Sequence, residues 1–150
     1  MIGDDRDELR NLAQDLFGTS NIPPTYMREL KRYLGTATAQ LGLAASSYER
    51  TAYWIDGRSL GVLACTGISD QDLELHPIVG TVIRLDQVTT VNFVVAVYHD
   101  NTRGMVTTSG RRLTIGQDVD LDASPGRFLP DKRKQIEDFI DQLLAVVAGR

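Results

Sequence analysis

The chain has one cysteine, one tryptophan and two histidines in 150 residues, and each scarcity removes a class of chemistry. With Cys65 alone, neither an internal disulfide nor a thiolate metal cluster can form. His76 and His99 stand far apart and make no HExxH-type ligand pair, so each reads as a surface or loop residue. No G-x-S-x-G elbow supports a serine nucleophile, and the glycines of "GRSLG" and "SGRRLTIG" lack the spacings that let backbone N–H groups surround a phosphate. Positive charge is also short. Sixteen Lys and Arg face 20 Asp and Glu, and residues 51 to 150 keep the deficit with ten bases against thirteen acids. Nucleic-acid binding needs clustered positive charge and is therefore not expected. The opening "MIGDDRDELR" is acidic where a secretory signal would be basic and then apolar, which gives a cytoplasmic protein as the expectation.

What is present fits an ordinary folded domain. The apolar fraction is 42% and the charged fraction 24%, in the range of globular chains. Residues 4 to 17 carry Leu9, Leu12, Ala13, Leu16 and Phe17 at intervals of three and four, the period of an amphipathic helix. "GTSNIPP" breaks it, and the two prolines suit a helix entrance. A second helix is expected from 24 to about 41, with Tyr26, Leu30, Tyr33, Leu34, Ala37 and Leu41 on one side. The two would form an N-terminal helical hairpin over 1–47, with "AASSYER" as linker.

From residue 51 the period changes to two. "TAYWIDGRSLGVLAC" reads as strand, Asp56-Gly57 turn, strand, because Asp-Gly meets the positive φ demanded by a tight hairpin turn. Cys65 is then a small buried strand residue. "GISDQDLELHP" reads as a connection holding a turn of helix. Strands flank Asp86-Gln87 in "VIRLDQVTTVNF", and turns are expected at "HDNTRG", "SGRR" and "GQD", leaving short strands near 105–109, 111–116 and 118–123. Pro130 opens a last helix with a stripe of Ile136, Phe139, Ile140, Leu143, Leu144 and Val147, closed by Gly149.

About seven short antiparallel strands followed by one amphipathic helix resemble the pleckstrin-homology-like barrel, particularly its bacterial versions. The resemblance rests on "AYWIDGRSLGVL", "VIRLDQVTTVNF", and "LTIGQDVDLDAS" before "DKRKQIEDFIDQLLAVV", over residues 50 to 148. It implies an α+β fold: the helical hairpin, then over 48–150 a strongly bent antiparallel sheet or barrel of about seven strands, capped by the C-terminal helix. It also implies binding of peptides, partner domains or anionic lipid heads. Lipid heads need several cations together, whereas the first hairpin offers only Arg58 beside Asp56, so phosphoinositide binding is not expected.

The expectation is a non-catalytic module that binds a protein or peptide through a groove, sheet edge or helix face, with no cofactor and no metal. Aspartates 118, 120 and 122 share one strand face, but Ala123 and Leu129 stand where an EF-hand loop needs Gly and Glu, so they read as a polar strand face. The candidate binding residues are Trp54, as an exposed aromatic anchor opposite Tyr53, Arg58, and the basic group Arg127, Lys132, Arg133 and Lys134 around the start of the last helix. The alternative is a small acidic protein of the secretion-chaperone-like or immunity type, whose detached helices would serve a homodimer.

Overall fold

The computed structural model describes residues 2–44, 46–100 and 106–149, with side chains described at 5–44, 46–97 and 109–149. It is an α+β structure of two units, residues 1–84 and 85–150, and the described residues form four α-helices and two antiparallel sheets of four and three strands. Among the described residues the strands do not form one closed ring. No helix among them is long and apolar enough to cross a membrane.

The first unit begins with α1 (Ile2–Phe17) and α2 (Pro24–Leu34). A meander follows of β1 (Ala39–Leu43), β2 (Glu49–Asp56), β3 (Ser59–Thr66) and β4 (Val79–Arg84), paired in that order, with α3 (Asp70–Leu73) between β3 and β4. The expected run of helix to residue 41 is corrected: α2 stops at Leu34, and 39–43 are strand. Thr38 shows why. Its N–H donates to the Ile55 carbonyl at 2.8 Å, so the chain satisfies its backbone against β2 rather than against the helix, and Leu41 lies opposite Tyr53. The Asp56-Gly57 hairpin is as expected, with Gly57 at φ +60°.

The helices do not stand apart from the strands. Leu9, Ala13, Leu16 and Phe17 of α1 and Tyr26, Met27 and Leu30 of α2 share one core with Ala52, Trp54, Leu63 and Cys65. Register puts Gly42, Ala52 and Leu63 in one row across this sheet face, and the lack of a side chain at Gly42 lets α1 approach. A Cβ at Gly42 would lie 2.5 Å from the Leu16 carbonyl oxygen, and one at Gly61 would run into the Trp54 ring. The Tyr26 hydroxyl donates to the Leu63 carbonyl at 2.7 Å, tying α2 to β3. Asp70 accepts from the Thr25 N–H at 3.2 Å, which satisfies a free donor in the first turn of α2.

The second unit starts with a 3-10 turn at Leu85–Gln87 and continues as β5 (Asn92–Asp100), β6 (Val106–Ile115), β7 (Val119–Asp122) and α4 (Pro130–Val147). The turn expected at "SGRR" is absent, because β6 runs through it unbroken. Gly110 serves a close approach instead, as a Cβ there would meet Pro125 Cδ and Ser124 Cα at 2.8 Å. "HDNTRG" falls largely outside the described residues, and the "GQD" turn is present with Gly116 at φ +55°. In α4, Ile136, Phe139, Ile140 and Leu143 are buried, a contribution of roughly 6–12 kcal/mol before conformational entropy is subtracted. The helix packs against β7 and the 3-10 turn.

Two outcomes test this packing. Gly42→Ala should destabilise by about 1–3 kcal/mol in urea unfolding, because the backbone of α1 blocks the new methyl. Gly35→Ala, at φ −62° with nothing within 4 Å, should leave stability unchanged or raise it by about 0.4–1 kcal/mol. The buried thiol supplies a pH test. Burial pushes Cys65 up from 9.0 to about 11, with the charge of Arg50 opposing. The unfolded chain therefore ionises first, so this contribution is intact below pH 9.0 and lost as pH rises through about 11. Unfolding free energy should decline over that window, less steeply in Cys65→Ala, and the folded thiol should not react with a disulfide reagent at pH near 8.

Candidate strand-edge binding site

An edge strand carries main-chain donors and acceptors that no neighbour satisfies, and natural edges are usually blunted by charge, proline or short length. β5 has none of these devices over its described side chains. It is nine residues long, stands at one end of the β5-β6-β7 order, and reads "NFVVAV" from Asn92 to Val97 without a charge. Phe93, Val95 and Val97 lie on the same face as Leu113 and Leu121, since register places Phe93 opposite Leu113 and Leu113 opposite Leu121. Leu113 and Leu121 are fully buried, but Phe93, Val95 and Val97 are 56–61% exposed. Val94, on the opposite face, is 61% exposed. Large apolar side chains are thus open to solvent on both faces of one strand.

Beside β5 the other sheet face holds a shallow hollow of about 590 Å³. Val94, Ala96 and Gly110 form its apolar part, and Arg112, Asp122, Ser124 and Arg127 its polar part. Two members of the aspartate row of 118 to 122, Asp120 and Asp122, are engaged here by arginine. Asp120 accepts from Arg112 Nε at 2.8 Å, and this carboxylate raises the Arg112 guanidinium further above its usual value. Burial works to raise the Asp122 carboxyl, but hydrogen bonds from Ser124 and the charges of Arg112 and Arg127 outweigh it, and the net shift is downward. Arg127 is held loosely, 3.9 Å from Asp122 and 5.7 Å above the Phe128 ring. It is the cation with most freedom at the rim of the hollow.

The other residues singled out in the sequence fall differently. Trp54 is not an exposed anchor: it is 7% exposed, stacked on Tyr33 at 5.1 Å and 6°. Tyr53 is buried as well, so the expectation that one of the two faces solvent is corrected. Gly61 opposite Trp54 makes the space for the ring. Arg58 is exposed in the β2–β3 turn. Arg133 is structural, its guanidinium donating to the Ala123 carbonyl at 3.1 Å and the Ser109 carbonyl at 3.4 Å. Lys132 donates to Gln135 at 2.8 Å and is lowered by burial, and Lys134 is exposed. His76 is exposed, and the His99 side chain lies outside the described residues.

Sequence reasoning missed Arg50, a buried guanidinium that donates to the carbonyls of Ser46 at 2.8 Å and Glu49 at 3.0 Å. It also missed Arg111, which joins β6 to α4 through Asp141 at 2.7 Å and the Glu137 carbonyl at 3.2 Å. The partners of Arg111 lie 26 and 30 residues away, where no local pattern marks them, and those of Arg50 are main-chain carbonyls just before it in the chain, which carry no side-chain signature.

The division within the basic group is measurable. Arg133→Ala should cost about 1–2 kcal/mol in chemical denaturation, since two carbonyls lose a charged donor. Lys134→Ala should stay within about 0.5 kcal/mol of the parent. Against known family models, curated proteins and solved structures, the chain matches none.

Proposed function

We propose that the protein is a non-catalytic binding module that takes up an extended segment of a protein or peptide along the open edge of β5. The observation that carries this reading is the exposure of Phe93, Val94, Val95 and Val97 on both faces of one edge strand. An added strand would satisfy main-chain groups through hydrogen bonds, and its alternate side chains would cover the apolar ones on each face. Surface patches of this kind on monomers are commonly functional. Arg127 at the neighbouring hollow favours a segment with an acidic residue among apolar ones.

The pleckstrin-homology-like resemblance is compatible with this reading. Among the described residues seven strands precede one C-terminal helix, in the order the resemblance implies, and peptide binding is among the functions it implies. A second reading has support from the same strand: β5 of another copy is itself an extended apolar segment, which fits an acidic homodimer of the chaperone-like or immunity type.

A fluorescein-labelled peptide that alternates valine and threonine and ends in aspartate tests the proposal by anisotropy. Saturable binding is expected, weakened roughly tenfold or more by Val95→Lys, a charge that natural edges use against strand addition, and severalfold by Arg127→Gln. Binding that ignores Val95→Lys would remove the edge from the account. If sedimentation instead gives a dimer that Val95→Lys dissociates, the homodimer reading replaces the peptide one.

A further inference from the structure

The first unit contains a cleft between α1 and α2 that the strand-edge reading does not use. Its volume is about 370 Å³, within the roughly 300–1,000 Å³ typical of small-molecule sites and too small for a folded partner. The floor is apolar: Leu9, Ile22 and Met27 line it and are otherwise buried in the core. The rim is cationic, formed by Arg6 and Arg10 from α1 and Arg28 from α2.

Charge around this rim is not balanced. Asp5 is the one carboxylate lining the cleft, and it is shared, standing 3.6 Å from Arg28 Nε and 4.0 Å from Lys31 Nζ. Lys31 in turn is hydrogen-bonded to Glu8. No ion pair to Arg6 or Arg10 occurs among the described residues. These two lie four residues apart on a helix, where like charges face and repel each other. A protein of net charge −4 thus keeps two mutually repelling arginines over an apolar recess. A bound anion would turn that repulsion into charge-assisted hydrogen bonding.

We infer that the α1–α2 cleft binds a small amphiphile, an alkyl carboxylate in chemical class, with its chain on Leu9, Ile22 and Met27 and its head between Arg6 and Arg10. The carboxylate offers two acceptor oxygens to guanidinium donors, and the ligand's own chain leaves water against the apolar floor. The cleft lies wholly within residues 5–28, so the inference stands apart from β5.

The methionines give a direct test, because the sequence has three, Met1, Met27 and Met105. Methyl-labelled methionine therefore yields three signals, and Met27→Leu assigns the one in the cleft. Sodium decanoate, titrated below its micelle concentration, should move the Met27 signal saturably, while decyltrimethylammonium of the same chain length should not. Arg6→Gln with Arg10→Gln should weaken decanoate roughly tenfold or more. Both side chains are exposed, and unchanged circular dichroism would verify that the variant is folded. Val95→Lys should leave decanoate binding as it was. A Met27 signal that stays still, that moves equally with the cation, or that titrates unchanged in the double variant would overturn the inference.

Discussion

A β-strand asks for four kinds of cover: a hydrogen-bonding neighbour on each edge and a packing partner on each face. In the second unit β6 has most of these. β5 and β7 flank it, α4 reaches it through the Arg111 clamp on Asp141 and Glu137, and its Leu113 and Ile115 are buried. Among the described residues β5 has one neighbour, and its Phe93, Val94, Val95 and Val97 remain in water. That imbalance is the constraint from which the functional reading grows. Apolar area left in water is free energy still available to a binding event, and unpaired backbone groups direct it toward an extended partner.

The first unit covers one face of its sheet with helices, while its own edge strand β4 leaves Val79 and Val82 exposed. Its sheet gives up side-chain volume at Gly42 and Gly61 so that α1 and the Trp54 ring can lie close, and it regains contact through Tyr26, Met27 and Leu30, which are almost fully buried. One polar contact matters in that apolar layer. The Tyr26 hydroxyl reaches the Leu63 carbonyl, and burial raises the phenol far above its usual value, so it stays protonated and donating. The charged residues of α1 and α2 lie at the rim, where Lys31 meets Glu8 and Asp5 and where Arg6 and Arg10 meet the cleft.

Much of this fold was legible wherever a local rule decides the outcome. The period of α1, the Asp56-Gly57 hairpin, the turn at Gly116 and the stripe of α4 each follow from neighbours in sequence. The misreadings share a different cause. Leu34, Ala37 and Leu41 keep a helical spacing, but pairing with β2 further along the chain captures 38–43. Gly110 looks like a turn residue until the chain at Ser124 and Pro125 passes over it. Trp54 was expected outside because alternation gives a strand two faces, whereas both faces of β2 are buried at Tyr53 and Trp54. For the candidate site the sequence offered the general idea of a sheet edge, but the apolar run 93–97 reads the same whether it is covered or bare. Only the position of β6, β7 and α4 distinguishes these.

The central claim is that the outer edge of β5 is open. Amide hydrogen exchange of the free protein across 92–97 tests it most directly. In an edge strand of an antiparallel pair, alternate N–H groups point at the neighbour and the others at solvent, so the account predicts slow and fast exchange alternating residue by residue along β5. Uniformly slow exchange through all six positions would mean that the edge is already occupied, and would contradict the account.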